Sequence, residues 1–160
     1  MEGYIVKQQA IEEFEGILKV HFLNDKAVRI NKSLGDLTGL TALGFHLIEI
    51  EPGHLSTEFH RHYFEEECVY ILQGQAEARI GGQLYQVSEG DFIGYRAGGE
   101  AHTLRNNGSE ILRCLVVGNR LDHDVADYPD LNKRLFRNPG HDYNLVDIDA
   151  IELHKAGKKA

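Results

Sequence analysis

The chain has 160 residues, of which 42% are hydrophobic and 26% are charged, a balance typical of one soluble globular domain with a substantial core. Its formal net charge of −8 at pH 7 argues against a nucleic-acid partner, because binding to phosphate backbones usually needs a basic face. No apolar run is long enough to cross a membrane, and the polar N-terminal segment lacks the apolar stretch of a secretory signal. We therefore expect a cytoplasmic protein with neither a nucleic-acid nor a membrane partner.

The first third of the chain has only weak periodicity. Residues 8–15 predict a short helix that ends at Gly16, and residues 17–22 alternate as an edge strand would. Residues 31–40 contain Asn31 and two glycines and are interpreted as a loop.

From Leu43 onward the pattern becomes regular. Short apolar runs recur every eight to twelve residues with turn-forming residues between them, which predicts an all-β sandwich or barrel. The clearest hairpin joins residues 76–80 to residues 83–87 through a Gly-Gly pair, which can supply the positive φ angles of a type I′ turn.

The regularity fades after Gly118. Residues 122–130 are acidic and contain Pro129, so we expect an irregular crossing segment there. Residues 143–153 are compatible with either a final strand or a short helix.

A group of histidines and acids carries the strongest chemical signal. His60 and His62 share a face if they lie in an extended strand, because alternate side chains point the same way. Glu67 opens an apolar strand and shares a face with its apolar positions, whereas Glu66 points the other way; His102 follows beyond two hairpin signals. Imidazole and carboxylate are together the ligands of zinc, iron, manganese, nickel or copper.

The segments that contain these residues resemble the two motifs of the cupin superfamily. The first motif has a glycine, His-x-His, a glutamate and a second glycine, present here as Gly53, His60, His62, Glu67 and Gly74. The second has a glycine, Pro-x-Gly, a histidine and an asparagine, present here as Gly90, Arg96-Ala97-Gly98, His102 and Asn106. The chain differs by one extra residue in each motif and by Arg96 at the usual proline position.

The resemblance implies an all-β, cupin-type jelly-roll β-barrel with short N-terminal and C-terminal extensions. Residues 1–40 would form an N-terminal arm and loop, residues 41–120 the barrel core, and residues 121–160 a C-terminal extension that packs on the barrel within one domain. It also implies that one divalent transition metal (iron, manganese, zinc or nickel) is bound by four ligands: His60, His62, Glu67 and His102. The alternative is that these are surface histidines or hydrogen-bonded core histidines.

Three further residues are candidates for the site. Glu58 precedes His60 by two residues, so it would share the inward face as a general acid or base, or instead hold a ligand by a hydrogen bond. Arg96 could anchor a substrate carboxylate through its guanidinium or form a salt bridge, and Tyr95 beside it is a second substrate-binding candidate.

The resemblance suggests a metalloenzyme of the dioxygenase, isomerase or lyase type that acts on an oxygen-rich small molecule. One alternative is a non-catalytic module that binds or senses a small molecule, and another is a barrel whose metal only stabilises the fold. Small cupins commonly pair through sheet edges, so we expect a homodimer in which the N-terminal segment or the strand at residues 17–22 crosses to the partner.

Overall fold

The computed structural model of the protein describes residues 3–154 and residue 157. Within them the chain forms thirteen β-strands, two short α-helices and two 3₁₀ turns. The strands are β1 (Ile17–His21), β2 (Asn24–Ser33), β3 (Leu43–Ile50), β4 (Arg61–His62), β5 (Glu67–Gln73), β6 (Gln75–Ile80), β7 (Gln83–Ser88), β8 (Phe92–Tyr95), β9 (His102–Arg105), β10 (Leu112–Asn119), β11 (Asp124–Tyr128), β12 (Lys133–Arg137) and β13 (Asn144–Asp147). The helices are α1 (Gln8–Glu13) and α2 (Leu34–Leu37), and the 3₁₀ turns are Pro129–Leu131 and Ile148–Ala150.

The strands pair into three antiparallel sheets. The largest has the order β1-β2-β3-β10-β5-β8, the second β13-β12-β11-β4, and the third β7-β6-β9. Isolated bridges from Leu55 to Arg105 and from His60 to His102 connect the segment before β4 to β9. The predicted all-β jelly-roll architecture is confirmed. Among the described residues, no helix has the length and apolar character needed to span a bilayer.

The main core lies between the six-stranded and three-stranded sheets. In β5, Val69 and Ile71 are buried while Tyr70 and Leu72 are exposed, because alternate side chains of a strand point to opposite faces. Buried side chains of β3, β8 and β10 join them, and the three-stranded sheet contributes the opposite wall: Ala76, Ala78 and Leu104. A smaller cluster lies on the four-stranded sheet and consists of Ala126 and Tyr128 of β11 and Leu135 of β12.

Several local predictions are confirmed and others are wrong. The short helix and the edge strand occur as α1 and β1. The predicted loop at residues 31–40 instead begins inside β2 and continues into α2. The Gly-Gly hairpin forms between β6 and β7, but only Gly81 has a positive φ (56°), so the turn is not type I′.

The C-terminal part is more regular than predicted. The segment at residues 122–130 contains β11, which pairs with both β12 and β4. Its acidic residues are compatible with a buried strand because Asp124 and Asp127 each have a side-chain partner there. Residues 143–153 contain β13 and then a 3₁₀ turn. The predicted N-terminal arm and C-terminal extension include residues 1–2, 155–156 and 158–160, which lie outside the described residues.

Candidate metal centre

A cavity of about 260 Å³ lies inside the barrel, and the four residues of the two sequence motifs line it together. His60 lies in the isolated bridge before β4, and His62 ends β4. Glu67 is the first residue of β5 and His102 the first residue of β9. Strands of all three sheets and a short bridging segment therefore bring the four side chains to one place, although only His62 of the His-x-His pair lies within a strand.

Hydrogen bonds to the main chain fix the orientation of two of the imidazoles. His60 Nδ1 is 2.8 Å from the carbonyl oxygen of Glu58, and His102 Nδ1 is 3.3 Å from that of Glu100. A carbonyl oxygen can only accept, so Nδ1 carries the proton in both rings. The lone pair of each neutral ring is therefore on Nε2, the atom available to a metal.

The distances between the donor atoms suit a single divalent ion. His60 Nε2 and His62 Nε2 are 3.1 Å apart, and His102 Nε2 is 4.0 Å from a Glu67 carboxylate oxygen. Two nitrogens bound to one zinc ion at about 2.0–2.1 Å would lie about 2.9–3.4 Å apart. The Nε2 of His102 is also buried without a hydrogen-bond partner among the described residues. The residues present therefore fit a metal.

Burial keeps two of the imidazoles in the form that a metal requires. It lowers the pKa of His60 well below the ordinary value, and the neighbouring His62 and His102 lower it further. Burial also lowers the pKa of His102 to about 4. For Glu67, burial raises the pKa, an effect that His62 and Arg29 oppose. Both histidines are thus neutral near pH 7, and neutral imidazole is the ligand form.

The third imidazole is held by a carboxylate. His62 Nδ1 lies 2.5 Å from Asp124 Oδ2, and the other Asp124 oxygen accepts from the backbone N–H of Phe64 at 3.2 Å. Although burial acts in the opposite direction, this hydrogen bond raises the pKa of His62. Carboxylates that accept from the far nitrogen of a ligand histidine orient the ring and increase its basicity. Asp124 therefore aims His62 Nε2 into the cavity.

Asp124 and Glu65 form a second cluster around the same nitrogen of His62. One donor atom from each of the three residues lies within 4.8 Å of the others, so the cluster could also hold a metal ion. However, Glu65 already accepts hydrogen bonds from Arg137 and from the backbone N–H of Leu121. We interpret this cluster as an ionic network that supports His62, because each acid already has a positive or hydrogen-bonding partner.

Glu58 does not line the cavity. Its carboxylate accepts from the Asn24 side chain at 2.5 Å and from the backbone N–H of Phe59 at 3.0 Å. Its contribution to the site is the main-chain carbonyl that holds His60. The carboxylate is buried, as is His60 two residues later, but its partner is Asn24 and it does not reach the cavity.

Both predicted substrate-binding residues line one groove, but only Tyr95 also lines the metal cavity. Tyr95 lines the cavity and its ring stacks on His102, with centroids 3.5 Å apart and an angle of 4°. Its hydroxyl is buried and has no partner among the described residues. Arg96 is exposed and lines only the groove, whose wall also includes Tyr95 and Glu67. Arg96 is thus not brought to the cavity.

The cavity residues that were not found from the sequence include three with titratable side chains: His21, Arg29 and Tyr128. Arg29 donates a hydrogen bond to the carbonyl of Ser56, while its Nε is buried without a partner in the part of the chain that the structure describes. Burial lowers the pKa of Arg29, and nearby Glu67 opposes this effect. Because Arg29 lines the cavity, it brings a positive charge close to the proposed metal centre. The signal that could have found Arg29 is its alternation with buried Ala27 and Asn31 in β2.

Comparisons with known proteins agree with this fold. A family model described as a cupin domain matches residues 46–118. A "putative sugar phosphate isomerase" from Acidithiobacillus ferrooxidans is 49% identical, with 95% of this chain and 97% of that chain covered and a TM-score of 0.92. A sugar phosphate isomerase of the cupin superfamily from Silicibacter pomeroyi is 26% identical, with 87% and 90% covered and a TM-score of 0.77. The chain therefore belongs to the cupin superfamily.

A more distant similarity covers a smaller part of the chain. A predicted oxalate decarboxylase from Thermotoga maritima is 26% identical, with 59% of this chain and 80% of that chain covered and a TM-score of 0.50. No curated protein is significantly similar to this chain. The two sugar phosphate isomerase structures therefore provide the comparison that extends over most of the chain.

Proposed function

We propose that this protein is a metal-dependent isomerase of a phosphorylated sugar. The observation that carries the proposal is the convergence of three histidine nitrogens and one carboxylate in a cavity of about 260 Å³. The likeness along 95% of the chain to the Acidithiobacillus protein supports the choice of reaction and substrate. Of the three enzyme types that the sequence suggested, the isomerase is thus the one supported by a similarity over most of the chain.

The metal would be held by His60, His62, Glu67 and His102. Their mixed nitrogen and oxygen donors suit iron, manganese, zinc or nickel. When bound, such an ion acts as a Lewis acid on carbonyl and hydroxyl oxygens. The chain's own contribution is to keep His60 and His102 neutral by burial and to aim all three imidazoles inward through their Nδ1–H hydrogen bonds.

Other residues of the cavity have roles in binding the sugar. His21 Nδ1 accepts from the backbone N–H of Leu23 at 3.2 Å, so in the neutral ring Nε2 carries the proton and donates to a sugar oxygen. Burial raises the pKa of Tyr128 to about 12, so its hydroxyl stays protonated and is a second donor. The apolar wall of the cavity excludes water and is formed by Ile48, Val69, Leu104 and Val116.

The test begins with metal content. We expect untagged protein to contain about one equivalent of a divalent metal by inductively coupled plasma mass spectrometry. His60→Ala/His62→Ala should lose it, because two of the four donors are removed. The matched control is His123→Ala/His141→Ala, which changes two exposed histidines and should keep the metal. Metal in neither the wild type nor the control, even after reconstitution, would refute the proposed centre.

The reaction is tested on the metal-loaded protein. Aldose and ketose phosphates are incubated with it in deuterated water, and interconversion with deuterium exchange is followed by NMR. Isomerisation that the His60→Ala/His62→Ala variant lacks would support the proposal. Oxygen consumption with these or other oxygen-rich compounds, without isomerisation, would contradict it and favour a dioxygenase.

One observation favours a non-catalytic alternative, a metal-dependent module that binds or senses a sugar phosphate. Glu67 is the only carboxylate that lines the cavity among the described residues, so no acid other than the proposed ligand is available there to move a proton. Under this alternative the metal-loaded protein would bind sugar phosphates with no turnover and no deuterium exchange. The exchange experiment therefore separates the two functions.

A further inference from the structure

A second cavity adjoins the candidate metal centre. Its volume is about 210 Å³, and it shares His21, Arg29 and Ser56 with the metal cavity. Lys19 of β1 is added to its lining. Among the described residues no carboxylate lines this cavity, although the chain has 25 acidic residues against 17 basic ones. The lining of this cavity is therefore positively charged, although the protein as a whole carries a negative net charge.

The two cations of this cavity lie directly opposite each other. Lys19 pairs with Arg29 in the β1–β2 register, so their side chains share one face of the sheet. Like charges directly opposite in a sheet destabilise it unless an opposite charge lies between them. Neither residue forms an ion pair with a carboxylate within the described ranges 3–154 and 157. Neither positive charge therefore has a carboxylate at contact distance in the described part of the chain, although Glu67 lies near Arg29 and Asp36 near Lys19.

The surroundings of Arg29 strengthen this conclusion. One of its terminal nitrogens donates to the carbonyl of Ser56, while the buried Nε has no partner in the described structure. A buried donor without a partner costs free energy, so such a group points to a missing acceptor. Partial burial and the charge of Arg29 also lower the pKa of Lys19, an effect that an anion between them would reverse.

We propose that Lys19 and Arg29 form a phosphate-binding subsite, with the dianionic phosphate of the substrate between the two cations. Guanidinium binds phosphate oxygens through paired N–H groups, and the lysine ammonium contributes a second positive charge. The shared residues His21, Arg29 and Ser56 connect this subsite to the metal cavity, so the sugar would extend from one to the other. The identity of the sugar rests on the proposed function, whereas the phosphate subsite rests on the cation pair.

The test measures binding of inorganic phosphate by isothermal titration calorimetry at low ionic strength. Lys19→Met should weaken the wild-type affinity by about tenfold, since it removes one charge-assisted hydrogen bond. Lys26→Met is the matched control, because Lys26 is also exposed but lies outside both cavities, and it should bind phosphate as the wild type does. Arg29→Lys, with its fold checked by circular dichroism, should also weaken binding.

The outcomes separate this inference from the proposed function. Phosphate binding that Lys19→Met weakens and Lys26→Met does not would support the subsite, even if no sugar phosphate is isomerised. Equal phosphate affinity in the wild type and Lys19→Met would overturn it. Binding that survives Lys19→Met but disappears when the metal is chelated would also overturn it, since the phosphate would then be on the metal.

Discussion

The imidazole of His62 connects two parts of the protein through its two nitrogens. Its Nδ1 is 2.5 Å from a carboxylate oxygen of Asp124 in β11, and its Nε2 is 3.1 Å from the Nε2 of His60. Asp124 is buried, and although burial opposes it, the hydrogen bond with His62 lowers the pKa of the acid. The acid is therefore ionised near pH 7. Its negative charge at Nδ1 increases the electron density, and so the basicity, of Nε2 at the cavity.

Replacing this acid should weaken metal binding. Asp124→Asn keeps the shape but removes the charge, and loss of such a partner typically costs about 10- to 100-fold in metal affinity. Competition with a chromogenic chelator measures the change. The control is Asp122→Asn, a substitution at an exposed acid two residues away. An Asp124→Asn protein with wild-type affinity would show that the carboxylate does not support a metal ligand.

Removing the Tyr95 hydroxyl should stabilise the fold. That oxygen is buried without a partner among the described residues, whereas the ring packs on His102. Tyr95→Phe keeps the stack and should raise the free energy of unfolding by about 1 kcal/mol in urea denaturation. Tyr63→Phe is the opposite case, because that hydroxyl bonds to Arg61, Asp127 and Arg134, and it should be destabilising. A destabilised Tyr95→Phe would mean that the hydroxyl has a partner.

Asp127 should make the free energy of unfolding depend on pH in the acidic range. Although burial opposes it, hydrogen bonds from Arg134, Tyr63 and Arg61 lower its pKa to about 2. A carboxyl whose pKa is lowered on folding stabilises the protein above its unfolded pKa, near 3.9, and this stabilisation is lost as the pH falls toward 2. The shift corresponds to about 2 kcal/mol.

The measurement for Asp127 is the urea midpoint of wild type and Asp127→Asn between pH 7 and pH 2.5. The difference should be largest above pH 5 and should shrink as the pH falls. Asp147→Asn is the control, since Asp147 pairs with Lys133 at the surface, where ion pairs contribute little. A difference between wild type and Asp127→Asn that is constant over this range would contradict the prediction.

The exposed edge strand β1 should mediate a homodimer. β1 is an outer strand of the six-stranded sheet, and Ile17, Leu18 and Val20 are each more than half exposed. An apolar edge of this kind pairs readily with a second copy. We expect light scattering to give a dimer mass at micromolar concentration and Leu18→Asp/Val20→Asp to give a monomer.

Leu84→Asp is the control for this edge. Leu84 is a similarly exposed residue on β7, an outer strand of the three-stranded sheet. The Leu84→Asp protein should remain dimeric. A wild-type monomer, or a dimer that only Leu84→Asp disrupts, would rule out β1 as the interface.

The parts of the fold with local periodicity could be predicted from the sequence. The strands β3, β5 and β10 have apolar alternation, and the hairpin between β6 and β7 has its glycines. The strand β11 could not be predicted, because its buried acids Asp124 and Asp127 form hydrogen bonds with side chains that are distant in the chain. A local reading treats such acids as surface residues.

The same limit applies to the candidate site. Tyr95 and Arg96 are adjacent at the end of β8, so alternation allows only one of them to face the cavity, and the structure places Tyr95 there. Arg29 was missed because its alternation with Ala27 and Asn31 places it on their face of β2 but does not show that this face lines the cavity. Its place is set by the register of β2 with β1 and β3, which only the tertiary structure determines.

The proposed metal ligands and the residues that orient or surround them come from different segments of the chain. Residues 46–118, which the cupin model matches, contain all four proposed ligands. Arg29 precedes this segment, and Asp124 follows it. A graft of the matched segment alone would therefore carry the metal-binding atoms without the carboxylate that aims one of them or the cation that charges the cavity. Differences in substrate between cupins of this kind can thus arise outside the motifs, while the ligands stay the same.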